Sequence, residues 1–216
     1  MITVGIADDE PLVRGGIRGV LEQAADIKVV AEAGNGAGAI ELVRRHRPRI
    51  LLVDIKMPGM DGVAVAEAVH GSAPTTAVVL LTAWASDAHI QRALRAGAAG
   101  ILLKTGNPRD LAAAVRAAAA GEAMLSPSIT RRLLDRIVDV DFEPLELARN
   151  LVNGLTAREK EVLELVAKGM GNGQIARRLF VSEGAVKAHV SRLLTKLSCT
   201  NRVQAAIIAH TARLAA

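Results

Sequence analysis

The chain has 216 residues, which is long for one domain and enough for two that each bury a core. Half of the residues are hydrophobic, which argues against disorder, and aromatic side chains are scarce. The single Cys199 excludes an internal disulfide and fits a reducing compartment. No apolar run approaches the roughly 20 residues of a membrane span and the N-terminus lacks a signal-peptide layout, so we expect a cytoplasmic protein without membrane attachment.

The formal net charge of +5 is unevenly distributed along the chain. Residues 1–121 carry a net charge of +1, residues 122–150 carry −2 and residues 151–216 carry +6. A basic excess in the last third is typical of a domain that binds a phosphate backbone and is attached to a near-neutral partner domain. By charge alone, ordinary solubility charge explains the pattern equally well.

Short β-rich runs alternate with helical stretches over residues 2–121. The predicted strands are 2–7, 27–33, 50–54, 77–83 and 100–104, and the predicted helices are 11–24, 36–46, 61–71, 86–96 and 108–120. Several strands are continuous apolar runs, which is typical of strands buried on both faces of a parallel sheet. Five successive βα units predict a doubly wound α/β domain with a five-stranded parallel sheet, and a ligand site beyond the C-terminal ends of its strands.

A polar, mixed stretch over 122–150 predicts a linker, with one candidate helix at 131–138. After it the strand signal vanishes. Thr156 and Glu159 form a T-x-x-E capping box that opens a helix. A short helix, a tight turn, a longer basic helix and a last helix follow. This layout predicts an all-α domain of four helices over 151–216, with a helix-turn-helix.

Acidic residues follow two strands of the predicted sheet. Asp8 and Asp9 end the first strand, and Asp54 ends the third. Because parallel strands open on the same edge, the three carboxylates should converge, which is electrostatically unfavourable without a cation. Oxygen ligands with room for several waters suit Mg²⁺. The sequence therefore predicts a magnesium site at this edge.

Thr82 ends the fourth strand and Lys104 the fifth, so a hydroxyl and an ammonium join the same edge. Carboxylates, a hydroxyl and an ammonium around a metal form a phosphoryl-transfer site, in which the positive groups neutralise developing charge and Thr82 holds a phosphoryl oxygen. Taken singly, each residue has an ordinary explanation as a turn, a solvated lysine or a β-former. Their combination on one edge favours an active site.

The segments ADD, VDIKMPGMDG, LLTA and GILLK, in this order on successive strand ends, resemble the receiver domain of two-component response regulators, a flavodoxin-like fold. The resemblance covers about the first 120 residues. It implies that Asp54 accepts a phosphoryl group from the phosphohistidine of a sensor histidine kinase. It also implies that Asp9, Asp54 and the backbone carbonyl of Lys56 ligate Mg²⁺ directly, and that Asp8 acts through a water.

The resemblance further implies that Lys104 and Thr82 bind the phosphoryl group and that Thr82 relays its arrival. Receivers usually carry Tyr or Phe three residues before the lysine, where this chain has Ile101. Ile101 contributes nothing to the chemistry, so we expect phosphorylation to persist. The switch then runs either through a rotamer change of Ile101 or mainly through Thr82 and loop shifts. Thr105 is a second departure, since proline or aspartate is more familiar there.

The longer basic helix of the C-terminal domain has two contrasting faces. Val186, Val190, Leu193 and Leu194 trace a buried stripe at helical spacing. Lys187 and Ser191 lie four residues apart on the remaining face and so project side by side. Such a face can read the major groove, although a merely solvated face would look similar. The preceding glycine-rich turn and short helix favour recognition.

Residues 151–216 resemble the LuxR-type helix-turn-helix of NarL/FixJ response regulators. The resemblance implies that residues 183–195 form the recognition helix, with some side chains facing base edges and others nearer phosphates. The implied DNA-contact set is Ser182, Lys187, Ala188, His189, Ser191, Arg192 and Lys196. The implied dimer set on the last helix is Val203, Ala206, Ile207 and His210, of which His210 is equally explained as a polar rim residue.

These observations together predict a phosphorylation-gated transcription factor rather than an enzyme. Phosphorylated Asp54 would favour an open homodimer that binds promoter DNA and acts on RNA polymerase. Two alternatives stay open. Ile101 is compatible with a constitutive DNA binder whose receiver serves only in dimerisation or ligand sensing. A phosphatase on a similar fold would need a carboxylate two residues after Asp54, where Lys56 stands.

Overall fold

The computed structural model describes residues 1–73, 75–83, 87–104, 108–122, 124–125, 129 and 145–212. The chain divides into two compact units, Met1–Leu133 and Leu134–Ala216. Thr105 and the candidate helix at 131–138 lie outside the described residues. Within the described ranges, no helix combines the length and the apolar character that crossing a membrane requires.

The first unit is a parallel sheet with helices on both faces. Its strands are β1 (Ile2–Ala7), β2 (Ile27–Ala33), β3 (Ile50–Asp54), β4 (Ala77–Thr82), β5 (Gly100–Leu103) and β6 (Met124–Leu125), in the spatial order β2-β1-β3-β4-β5-β6. The helices are α1 (Pro11–Leu21), α2 (Gly36–His46), α3 (Gly62–Ser72), α4 (Asp87–Arg95) and α5 (Pro108–Ala119). The doubly wound fold with its five parallel strands is confirmed. The two-residue β6 extends the sheet beside β5, inside the stretch predicted as linker.

Strand register brings the ends of β3, β4 and β5 into line. Asp54 pairs with Leu81, the residue before Thr82, and Thr82 pairs with Leu103. The backbone N–H of Lys104 donates to the carbonyl of Thr82 over 2.8 Å. The side chains predicted to form the site therefore leave the sheet at neighbouring points on one edge.

The loop after β3 folds back onto the backbone of Asp54. Gly62 begins α3, and its N–H donates to the carbonyl of Ile55 over 3.0 Å. A Cβ at Gly62 would lie 2.2 Å from the carbonyl oxygen of Asp54, so no larger residue fits there without displacing the backbone. Asp61 caps α3, because its Oδ1 accepts the N–H of Ala64 over 2.7 Å. The start of α3 is thus built directly against the predicted phosphoacceptor.

The second unit is helical among the residues described. Its helices are α6 (Leu145–Asn153), α7 (Ala157–Ala167), α8 (Asn172–Leu179), α9 (Glu183–Lys196) and α10 (Arg202–Thr211), so α6 precedes the four that were predicted. The capping box is confirmed, since Thr156 N–H donates to Glu159 Oε2 over 2.8 Å and Glu159 N–H donates to Thr156 Oγ1 over 3.3 Å. Phe180 ends α8 with a left-handed φ of 55°.

We expect Gly62→Ala to destabilise the first unit by about 1–3 kcal/mol, because the added methyl group must push the Asp54 backbone or α3 aside. Gly71→Ala, in the same helix, is the matched control. A Cβ there meets nothing within 4 Å, so this change should stabilise α3 by about 0.5 kcal/mol. Urea unfolding of the full chain measures both. Equal effects of the two substitutions would contradict the assignment.

Candidate phosphoacceptor site and nucleic-acid interface

An ion triad lies at the C-terminal ends of β1, β3 and β5. Lys104 Nζ is 2.7 Å from Asp8 Oδ2 and 3.1 Å from Asp54 Oδ1. Asp8, Asp54 and Thr82 are all buried, with exposures of 0%, 4% and 2%. Asp9 is exposed beside them. One ammonium therefore bridges two buried carboxylates from different strands, next to a buried hydroxyl residue.

The burial of these charges changes their proton affinities. Burial raises the pKa of Asp54 above its ordinary value and the like charge of Asp8 adds to this, while the hydrogen bond and charge of Lys104 act against it. Burial alone would lower the pKa of Lys104, but its hydrogen bonds to Asp8 and Asp54 raise that pKa above its ordinary value. Lys104 therefore stays cationic at neutral pH. A carboxylate with a raised pKa is the more basic, and hence the more nucleophilic, oxygen donor.

The acidic end of β1 fits a hard divalent cation. Ligand oxygens of Asp8, Asp9 and Glu10 lie within 4.8 Å of one another, the one such group found among the described residues. Asp8 Oδ2 is buried, and the ammonium of Lys104, 2.7 Å away, is the group paired with it. Carboxylate oxygens are ligands that suit Mg²⁺, and Asp9 and Glu10 are exposed residues. The residues present therefore fit the predicted ion.

Only some of the residues predicted to bind the metal lie together in the structure. Asp54 meets Asp8 through Lys104 and does not belong to the three-acid group, and its carboxylate accepts the backbone N–H of Lys56. Glu10 belongs to the group but was not predicted. Its signal was present in the sequence as the third acid of the run ADDE.

Ile101 occupies a wholly buried position on β5, opposite Leu80 in the strand register. It lies three residues before the lysine of the ion triad. The side chain that replaces the expected aromatic is thus packed in the core. A rotamer switch at Ile101 stays a prediction.

The predicted recognition helix presents the expected two faces. Val186, Val190 and Leu193 are buried and Leu194 is half-buried, so the apolar stripe is confirmed. Ser182 caps the start of the helix, with its Oγ accepting the N–H of Ala185 over 3.2 Å. Most of the predicted DNA-contact residues of α9 are exposed and one, His189, is half-buried; the exposed ones are Lys187, Ala188, Ser191, Arg192 and Lys196.

Several of these side chains, among them His189, Arg192 and Lys196, have protein partners. Arg192 Nη2 lies 3.2 Å from His189 Nδ1, which holds the two residues together on the exposed face. Lys196 Nζ lies 2.8 Å from Glu159 Oε2 and so ties the end of α9 to the start of α7. That bond and the backbone N–H of Thr156 lower the pKa of Glu159 to about 2. Lys196 thereby holds the end of α9 against α7.

The predicted dimer set needs a correction at Ile207. Val203 and Ala206 are half-buried and His210 is exposed, but Ile207 is only 4% exposed, so it is not available to a partner in this structure. The reason is that α10 packs against both α6 and α7, so more than one of its faces is buried.

A buried arginine in the second unit was missed. Arg202 is 9% exposed; its Nη2 donates to the carbonyl of Met170 over 2.7 Å, and its Nη1 donates to Asn172 Oδ1 over 3.3 Å. It thereby holds the loop that precedes α8. An arginine at the start of a helix gives no sequence signal of burial, because arginine is usually exposed.

Fold and geometry together define a two-part protein, a phosphoacceptor-type α/β unit and a helix-turn-helix unit. The family model for the response regulator receiver domain matches residues 4–116, and the model for bacterial regulatory proteins of the luxR family matches residues 153–209. The chain belongs to the response regulators that join a receiver domain to a LuxR-type DNA-binding domain, and it is a transcriptional regulator of this type.

Known relatives have the same organisation over nearly their whole length. The chain is 37% identical to the nitrate/nitrite response regulator NarL of Escherichia coli, over 98% of this chain and 96% of that protein. It is 38% identical to the uncharacterised transcriptional regulatory protein YxjL of Bacillus subtilis, over 96% of this chain and 94% of the relative.

Solved structures resemble the receiver domain by itself and the chain as a whole. The receiver domain of the putative response regulator NarL from Mycobacterium tuberculosis matches 56% of this chain and 98% of its own, with 40% identity and a TM-score of 0.55. The response regulator RcsB in complex with DNA matches 97% of this chain and 98% of its own, with 28% identity and a TM-score of 0.57.

We expect Glu159→Gln to lower stability at neutral pH, because Lys196 and the Thr156 N–H lose their anionic acceptor. The folded pKa of about 2 lies below the ordinary value of 4.5. The loss should therefore be complete above about pH 4.5 and should disappear as the pH falls towards 2.

Calorimetric unfolding of the full chain at several pH values checks this expectation. Glu164→Gln, on the same helix, is the control because it removes a carboxylate that is not the partner of Lys196. A pH-independent difference between the parent and Glu159→Gln would contradict the role given to the ion pair.

Proposed function

We propose that this regulator is switched by phosphorylation of Asp54 by a sensor histidine kinase. The observation that carries the proposal is the ion triad, in which Lys104 joins Asp54 and Asp8 at the carboxyl edge of the parallel sheet. A buried, basic carboxylate beside a fixed cation is suited to attack phosphorus and then to bear the added negative charge. The match to the receiver family supports the same chemistry.

In the proposed step, an Asp54 carboxylate oxygen attacks the phosphorus of a phosphohistidine. An O–P bond forms while the P–N bond breaks, and the imidazole of the kinase leaves. Lys104 balances charge on the phosphoryl oxygens, and the Thr82 hydroxyl holds one of them. The product is an acylphosphate, and its slow hydrolysis is a reaction of the protein on itself rather than turnover of a substrate.

Mg²⁺ would be held by Asp8, Asp9 and Asp54 with the carbonyl of Lys56, and Glu10 lies within reach of the same ion. When bound, the ion supplies further neutralisation of the phosphoryl charge. The acids at the end of β1 support this assignment through their mutual distances and the buried oxygen of Asp8.

The switch would begin with Lys104. A phosphoryl group on Asp54 competes with Asp8 for the ammonium, and Thr82 and Lys104 are joined through their backbones, so both strand ends respond together. Because Ile101 is aliphatic, no aromatic ring swings at that position. We propose that Thr82 and the ends of β4 and β5 carry most of the coupling, with Ile101 repacking in the core.

The output would be DNA binding by a homodimer, followed by contact with RNA polymerase. We propose that α9 enters the major groove, with Lys187, Ala188 and Ser191 at base edges. The phosphate contacts would come from Ser182, His189, Arg192 and Lys196, and the dimer contacts from Val203, Ala206 and His210. The similarity to RcsB, which was solved in complex with DNA, supports DNA binding by this chain.

We further propose that residues 1–121 form the receiver, 122–150 the linker and 151–216 the DNA-binding domain. A regulator that acts on promoter DNA in a bacterium works in the cytoplasm, and we propose that location for this protein.

Phosphorylation gating predicts that beryllofluoride with Mg²⁺ promotes dimers and tightens promoter binding about tenfold in the parent, within the usual range of coupling between sites. Asp54→Ala should show neither change, because it lacks the acceptor oxygen. Glu67→Gln, exposed on α3, is the matched control and should respond like the parent. Sedimentation and fluorescence anisotropy measure the two effects. DNA binding that is equally tight in all proteins and conditions would establish a constitutive binder instead.

The two types of contact proposed for α9 are separable. Lys187→Ala should cost about 1–3 kcal/mol of binding free energy and relax the sequence preference at one base pair. Arg192→Ala should weaken binding to all sequences alike and reduce the slope of log affinity against log salt by about one. Anisotropy titrations at several salt concentrations, with operator and scrambled DNA, distinguish the two. Identical behaviour of the variants would contradict the assignment.

A further inference from the structure

Arg14 of α1 reaches back to the acidic end of β1. Its Nη1 donates to the backbone carbonyl of Asp8 over 2.7 Å. Its Nε lies 3.4 Å from Glu32 Oε2, near the end of β2. The side chain of Arg14 is 19% exposed, so the guanidinium is largely enclosed between these two partners.

The Asp8 carbonyl belongs to the peptide unit that leads into Asp9. The other side of Asp8 is fixed by the sheet, since its N–H donates to the carbonyl of Ala33 over 3.1 Å. Its Oδ1 accepts the N–H of Glu10 over 3.0 Å. Among the described residues, no side chain bonds to the carboxylate of Asp9. The direction of that carboxylate therefore depends on the backbone that carries it, which is held by the side chain of Asp8 itself and, from α1, by that of Arg14.

We propose that Arg14 is a positioning residue for the metal-binding acids, an inference that rests on the magnesium site proposed above. By holding the Asp8 carbonyl, it fixes the turn in which Asp8, Asp9 and Glu10 gather their oxygens. An arginine suits this role because its planar fork donates to a carbonyl and a carboxylate in fixed directions at once. Outer partners that orient ligands commonly contribute 10–100-fold to metal affinity.

Positioning and plain electrostatics predict opposite signs. The positive charge of Arg14 lies close to the site and repels a divalent cation. If charge alone mattered, Arg14→Ala would bind Mg²⁺ more tightly. If Arg14 positions the acids, Arg14→Ala binds Mg²⁺ more weakly despite the lost repulsion.

The chain offers a matched control in Arg18, one turn further along α1. Its Nε lies 2.5 Å from Glu32 Oε1 and its Nη1 lies 2.9 Å from Glu22 Oε1, and among the described residues no hydrogen bond or ion pair joins it to Asp8. Arg18→Ala therefore removes a charge from the same helix and the same glutamate without freeing the Asp8 carbonyl.

The experiment is a calorimetric titration of the full-length parent, Arg14→Ala and Arg18→Ala with MgCl₂. We expect the dissociation constant to rise about tenfold in Arg14→Ala and to stay unchanged in Arg18→Ala. The rate of phosphorylation by acetyl phosphate should fall in Arg14→Ala at low Mg²⁺ and return to the parent value at saturating Mg²⁺. That recovery separates positioning from general damage to the site.

Equal or tighter Mg²⁺ binding by Arg14→Ala, or equal weakening by Arg18→Ala, would overturn the inference and leave the magnesium site standing. A parent that binds no Mg²⁺ would instead overturn the proposed site itself. If Arg14→Ala does not fold, the titration is made on Arg14→Lys. Weaker binding is again expected there, because one ammonium lacks the planar fork that holds both oxygens, and unchanged binding would overturn the inference.

Discussion

Lys104 places one positive charge between two buried carboxylates, and the carboxyl edge of the sheet depends on this contact. Burying Asp8 and Asp54 without a cation would be costly, because a buried charge is tolerated only when it is paired. The pairing joins the ends of β1, β3 and β5. A phosphoryl group added to Asp54 changes the charge that Lys104 must balance. The interaction that stabilises the resting edge of the sheet is therefore also the one that phosphorylation disturbs.

In the helical unit, the charged residues Glu159 and Arg202, which are buried, also hold neighbouring elements together. Glu159 on α7 holds Lys196 at the end of α9, and Arg202 on α10 holds the loop before α8. Each contact fixes one helix of the helix-turn-helix against another. The exposed face of α9 can then present its donors in a constant orientation, which groove reading requires because each base-edge hydrogen bond depends on direction.

The position of Ile101 concerns the transmission of the signal rather than the phosphoryl chemistry of the receiver. The groups proposed to accept and neutralise a phosphoryl group, Asp54, Thr82 and Lys104, lie at the strand ends, whereas Ile101 lies in the core. Ile101 is wholly buried, so we propose that transmission passes through the ends of β4 and β5 as elements with two arrangements. The backbone bond between Lys104 and Thr82 gives a direct path from the ion triad to the end of β4.

The sequence by itself determined the first five strands, the capping box and the position of Asp8, Asp54, Thr82 and Lys104 at one edge of the sheet, because hydrophobic periodicity and strand-end position are local signals. It also marked the buried face of α9 through the stripe of Val186, Val190 and Leu193. Tertiary structure alone decided the partners of Arg14, Lys196 and Arg202, since these long side chains reach residues whose separation in the chain sets no distance in space. It likewise decided the burial of Ile207 and the steric need for glycine at position 62, which depend on what packs against each residue.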